Sequence, residues 1–271
     1  KIWCCFKVMS FQIKKSELFI RIISSIIMIF IATLLIGAGG MLFEISLILL
    51  SIFFVWEILG FGDETKYYRK LLAFSFAILF AIYLWLDPII SFIIFFMFLL
   101  FYKFIVKPNN FNKRAVYLII ILFSLGAMSS LRTDIGLIQT LWVISCVVAS
   151  DVGGYFFGRS IGGPKLWSKI SPKKTWSGIL GGWFLAFLIT YLFVYCFNQI
   201  THIYLYWSVF IAISSQVGDL YESALKRSAG IKDSSNLIPG HGGFLDRFDG
   251  MIGAFFAIFL IELFQINYWV Y

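Results

Sequence analysis

Charge is scarce in this chain. Only 13% of its 271 residues are Asp, Glu, Lys or Arg, against 61% hydrophobic and 20% aromatic. A soluble domain carries about 25% charged residues, so this composition excludes an ordinary soluble fold and makes lipid the solvent. No polar stretch is long enough to form a separate soluble domain. Cysteine is rare as well. Cys4 and Cys5 are adjacent, Cys146 and Cys196 lie in apolar runs, and no CxxC or Cys/His pair has metal-ligand spacing, which leaves the thiols as packing residues. A βαβ pattern is also missing, so the glycines of "SDVGGYFFGRSIGG" (150–163) carry no dinucleotide meaning.

What is present is a series of apolar runs, each close to the roughly 20 residues that a bilayer-crossing helix needs. They fall at 19–36, 41–59, 71–86, 88–106, 115–131, 136–157, 178–197, 203–222 and 250–269. The expectation is an all-α integral membrane protein with nine transmembrane helices, a cytosolic segment 1–18 followed by a single transmembrane catalytic domain, 19–271. The first run follows Lys14, Lys15 and Arg21 as in a signal peptide, but it lacks a small-residue cleavage site, so an uncleaved helix is expected. "KIWCCFKV" before Met9 is given no function.

The net charge is +8, and its placement decides what it means. On the nine-span reading, 21 of the 22 basic residues fall in loops on one side, leaving Arg132 on the other. Positive loops stay cytoplasmic, which puts the N-terminus inside and the C-terminus outside. The expected location is the inner (cytoplasmic) membrane, with the active site facing the cytosol. The partner this charge suggests is the bilayer, not a nucleic acid. The first five spans are chemically plain: Glu44 and Glu57 are their only acids at depth, and a structural reading is favoured for both.

Polar chemistry concentrates between 150 and 250, on the cytosolic side. In "GDLYESALKRS" (218–228), a continuing helix would set Asp219, Glu222, Ser223 and Lys226 on one stripe. That stripe is either a cation site or a set of helix-stabilising ion pairs. "PGHGG" (239–243) is a turn whose amides can face an anion, and Asp246 and Asp249 follow on one face of the next helix. One acid would cap that helix; two, with acids from the preceding span, can converge on one or two Mg²⁺ ions, which usually carry phosphates. In "SPKKTWSGILGG" (171–182), Ser171, Lys173, Lys174, Thr175 and Ser177 precede a helix start, an anion site or ordinary positive flanking with Thr175 or Ser177 as N-cap. Gly178, Gly181 and Gly182 read as helix-packing residues. Asp151 pairs with Arg159 or a lysine, or joins the other acids.

Ser223 to Asp249, "SALKRSAGIKDSSNLIPGHGGFLDRFD", resembles the signature of the phosphatidate cytidylyltransferase (CDP-diacylglycerol synthase) family, with every required position present. "SPKKTWSGILGG" and "DVGGYFFGR" are similar to upstream elements of that family. The resemblance implies CTP and phosphatidic acid as substrates, Mg²⁺ as cofactor, and CDP-diacylglycerol and pyrophosphate as products. It implies Asp219 and Asp246 as metal ligands, with Asp249 and Glu222 in support, and Asp219, Asp246, Asp249 and Lys226 as catalytic residues. It further implies that Asp151, Ser171, Lys173, Lys174, Thr175, Ser223, Arg227, Lys232, Asp233, His241, Gly242, Gly243 and Arg247 bind substrate. A homodimer is compatible with the family, although no span carries a dimerisation signal. A CTP-dependent polyprenol or phytol kinase, a CDP-alcohol phosphotransferase and an ion-coupled transporter are the competing readings. A kinase would release CDP rather than pyrophosphate. A transporter would set its acids at the bilayer midplane between repeats, whereas these acids hug one leaflet.

Overall fold

In the computed structural model the described residues are Phe19, 22–62, 65–86, 88–107, 111–238 and 242–264. Segment 1–18, His241 and the C-terminal "NYWVY" lie outside them. Nine helices occur among the described residues, one on each apolar run: α1 Ile22–Ala38, α2 Gly40–Leu59, α3 Lys66–Trp85, α4 Pro88–Phe101, α5 Phe111–Ser130, α6 Leu137–Ser160, α7 Trp176–Cys196, α8 Tyr204–Ser228 and α9 Leu245–Leu263. Five of them, α2, α3, α5 with its continuation to Ile135, α6 and α7, are long and apolar enough to cross a membrane. Helices α1 and α4 are shorter, and α8 and α9 carry several charged residues at one end.

Several helices outrun their apolar runs because polar residues continue them. Helix α3 starts at Lys66, where the Thr65 hydroxyl accepts from the amide of Tyr68, and α8 runs on to Ser228 through the whole acidic stripe. Rings fill the interior: Trp142, Tyr117, Tyr204, Phe54, Phe76 and Phe255 are buried. The outer faces are apolar too, with Phe74, Phe92, Phe184 and Leu188 exposed, an arrangement stable only where the surroundings are themselves apolar.

Two glycine seams set the geometry that matters for chemistry. Between α6 and α7, a Cβ at Gly153 would stand 2.5 Å from the Gly181 carbonyl oxygen, and one at Gly178 would stand 2.6 Å from that of Gly154. These backbones touch, as the packing reading of Gly178, Gly181 and Gly182 requires. Between α8 and α9, a Cβ at Gly218 would meet the Asp249 carbonyl oxygen at 2.6 Å. That crossing puts Asp219 beside Asp249. Between α6 and α7 the chain also forms a short antiparallel hairpin, β1 Lys165–Trp167 and β2 Ser171–Thr175, pairing Lys165 with Thr175 and Trp167 with Ser171.

Candidate active site

A cleft of about 510 Å³ opens where the end of α6, the hairpin, the start of α7 and the middle of α8 meet. Arg159, Lys165, Lys173 and Lys174 line it as cations, with Asp151 and Asp219 as anions. Cations outnumber carboxylates, so the cleft suits an anionic guest. The hairpin delivers three of the four, because pairing β1 with β2 brings Lys165 to the same wall as Lys173 and Lys174. Arg159 donates to the Tyr155 hydroxyl at 2.8 Å. Thr175 is the N-cap of α7, its hydroxyl accepting from the Gly178 amide at 3.2 Å.

Inside the cleft, Lys174 Nζ lies 2.5 Å from an Asp219 carboxylate oxygen, with both side chains about a quarter exposed (25% and 29%). Ser223 donates to the other Asp219 oxygen at 3.3 Å. Asp151 is close enough to feel both Asp219 and Lys174. A lysine there satisfies part of the charge of two carboxylates.

A second cluster lies on the α8–α9 seam. Lys226 Nζ donates to Glu222 at 3.1 Å and to Asp246 at 2.6 Å, and all three side chains are below 10% exposed. Lys226 and Asp246 lie beyond the apolar runs 203–222 and 250–269. Burial pushes each toward its neutral form, but their pairing wins and holds Asp246 below its ordinary range and Lys226 above its own. Asp246 also accepts from the Ser234 and Gly243 amides, both at 2.9 Å. Asp249 lies within hydrogen-bonding reach of Glu222, and its own carboxylate accepts from the Gly250 amide at 2.7 Å.

The four acids expected to meet are therefore shared out. At 3.6 residues per turn the 219–226 stripe is about a quarter of the helix circumference wide. Asp219 and Ser223 face the hairpin, and Glu222 and Lys226 face α9. The ion-pair reading of the stripe is met by Lys226 and Glu222. Among the described residues no three His, Cys, Asp or Glu side chains form a ready-made metal cage. The donors nonetheless fit a hard divalent cation. Glu222 Oε1 is buried beside the Asp249 carboxylate and accepts from no N–H or hydroxyl donor among the described residues, and Mg²⁺ commonly takes one or two carboxylates and completes its shell with water and substrate phosphate oxygens.

Other expected residues have different surroundings. The Gly243 amide faces the internal carboxylate of Asp246, and Gly242, at φ +85°, turns the chain toward α9. Arg227 donates to the Ile231 carbonyl at 2.8 Å and fastens the loop after α8. Lys232, Asp233 and Arg247 are exposed, and Ser171 opens β2 opposite Trp167. His241 lies outside the described residues. Sequence reasoning gave no cleft role to Tyr155, Lys165 or Gln216, and considered Arg159 only as a partner for Asp151. The hairpin was the missing link, and its one sequence cue was the glycine-proline turn at 162–164 before a basic run.

The sequence profile of the cytidylyltransferase family matches residues 19–264. The chain belongs to this family. Among curated relatives it is similar to the phosphatidate cytidylyltransferase of Bacillus subtilis, 45% identical over 126 residues, which is 45% of this chain and 47% of the relative. Its similarity to the Haemophilus influenzae protein of that name is 44% over 133 residues, 46% of each chain. With the Brucella suis protein of that name it is 40% over 144 residues, 51% of this chain and 52% of the relative. The matched stretch thus spans about half the length of these relatives.

Proposed function

We propose that this protein transfers CMP from CTP to phosphatidic acid, giving CDP-diacylglycerol and pyrophosphate for phospholipid synthesis. The observation that carries the reading is the cation-walled cleft, built at the polar end of apolar helices, where a water-soluble nucleotide can meet a lipid phosphate. The relatives' names support the choice of substrates. All nine helices cross the inner membrane, with the N-terminus and the cleft in the cytosol and the C-terminus outside, in one domain from 19 to 271. Three contacts support that topology. Arg132, after α5, donates to the carbonyls of Ile36 and Gly37 at the end of α1, while Arg114, at the start of α5, donates to the Phe61 carbonyl after α2. The Tyr221 hydroxyl near the end of α8 donates to the Lys113 carbonyl, so α8 ends where α5 begins.

A phosphate monoester is already nucleophilic at neutral pH. An oxygen of phosphatidate attacks the α-phosphorus of CTP, the new P–O bond forms as the bond to pyrophosphate breaks in line, and no covalent enzyme intermediate is needed. Lys173, Lys174, Arg159 and Lys165 hold the triphosphate and stabilise charge building on the leaving pyrophosphate. When Lys174 turns to a phosphate, Asp219 is released. Mg²⁺, one or two ions, would supply further charge neutralisation, and Asp219, Asp249, Glu222 and Asp246 are the residues that would hold it. Lys226 keeps Asp246 and Glu222 in register, and Ser223 orients Asp219. The test is the released product: pyrophosphate formed in step with the lipid nucleotide supports this reaction, and CDP released in its place overturns it in favour of a CTP-dependent lipid kinase.

A further inference from the structure

Glu57, read from sequence as a structural acid, is fully buried, and among the described residues no lysine or arginine pairs with it. Its carboxylate accepts instead from four donors of the distant signature segment: the hydroxyls of Ser234 at 2.8 Å and Ser235 at 2.6 Å, and the amides of Phe244 at 3.0 Å and Leu245 at 2.7 Å. Those two amides open α9, and no side chain at the Phe244 N-cap makes a capping bond. Glu57 therefore caps α9 from another helix, its charge balanced by hydrogen bonds and the positive end of the helix dipole.

The contact reaches the reactive acids. The Ser234 hydroxyl stands between Glu57 and Asp246, 2.8 Å from one carboxylate and 2.9 Å from the other, while the Ser234 backbone amide also donates to Asp246. Gly243 passes so close that a Cβ there would lie 2.5 Å from Glu57 Oε1. The ring of Phe53, one turn earlier on α2, stacks on Phe244 with centroids 4.8 Å apart. Helix α2 thus grips the loop before α9 with both a carboxylate and a ring.

We propose that Glu57 is a positioning residue: from α2 it fixes the start of α9, and through Ser234 and Gly243 it holds Asp246 where the reaction needs it. It touches neither substrate nor the cleft lysines. Its effect on turnover rests on the cytidylyl transfer proposed above, but its hold on the loop does not.

Two measurements on the full-length protein in lipid nanodiscs separate these. In Glu57→Gln, amide exchange at Phe244 and Leu245 accelerates, whatever reaction the protein performs. Turnover falls by about ten- to a hundredfold, the scale expected of a displaced reacting group. KM for CTP moves by less than about twofold, because the cleft is built by other elements. Ser235→Ala, which removes one donor without leaving a charge unpaired, gives the same pattern at smaller amplitude and decides the matter if Glu57→Gln does not fold. Unchanged exchange at Phe244 and Leu245 overturns the proposal, as does a KM effect with kcat intact. If wild-type protein transfers no cytidylyl group while the exchange result holds, the reaction reading has failed and the positioning contact stands.

Discussion

Among the described residues Lys174 and Lys226 each meet an aspartate, and their surroundings differ. Lys174 sits on a two-stranded hairpin, partly exposed, with Asp219 at 2.5 Å. Lys226 sits in the last turns of α8, 7% exposed, between Glu222 and Asp246. An ion pair in contact with water is worth at most about 1 kcal/mol and exchanges readily. A buried cation between two acids cannot leave without stranding both charges. Lys174 is thus suited to let go of Asp219 and take a phosphate, while Lys226 is suited to hold α8 and α9 together. The sequence reading expected Lys174 to bind substrate and Lys226 to be catalytic, because nothing in "SPKKT" or "SALKR" says which ammonium is enclosed.

The comparison breaks first at Lys226. Replacing it by Met should cost about 3–5 kcal/mol, because Glu222 and Asp246 lose their shared cation, and the melting temperature in detergent should drop well below wild type. An unchanged melting temperature would show the pair to be as dispensable as a surface bridge. Next is Asp219→Asn, which keeps the shape of the cleft but removes the charge: turnover should fall about a hundred- to a thousandfold with melting unaltered. Smaller is Lys174→Gln, where KM for CTP should rise about tenfold, as for loss of one charge-assisted phosphate contact, with the fold intact. Smallest is Arg227→Ala, which frees the Ile231 carbonyl at an exposed loop; stability, read from the melting temperature, should stay within about 0.5 kcal/mol of wild type.

Much of the fold was legible. Apolar runs announce the helices because a helix in lipid must satisfy its own backbone and present apolar side chains on every outward face. Their ends were less legible, since α3 and α8 continue into polar sequence where water and ion pairs replace lipid. The signature from Ser223 to Asp249 holds the Lys226–Asp246 pair of the α8–α9 seam, while the cleft is lined by residues that precede it. What sequence could not give was partnership across distance. The hairpin at 165–175 is short, exposed and interrupted by Pro172, so it has none of the alternation that identifies a strand. Glu57 sits 177 residues from Ser234, and its role exists only because α2 packs beside the start of α9. Asp246 was marked by the signature, whereas its Lys226, Ser234 and Gly243 partners depend on the loop's path.

The most direct test of the account is to incubate purified protein with CTP radiolabelled at the α-phosphorus, phosphatidic acid and Mg²⁺, and to extract the lipid. The account predicts label in a CDP-lipid from wild type, with little from Asp219→Asn and from protein stripped of divalent cation. Lipid that remains unlabelled by the α-phosphorus but takes label from the γ-phosphorus would contradict it.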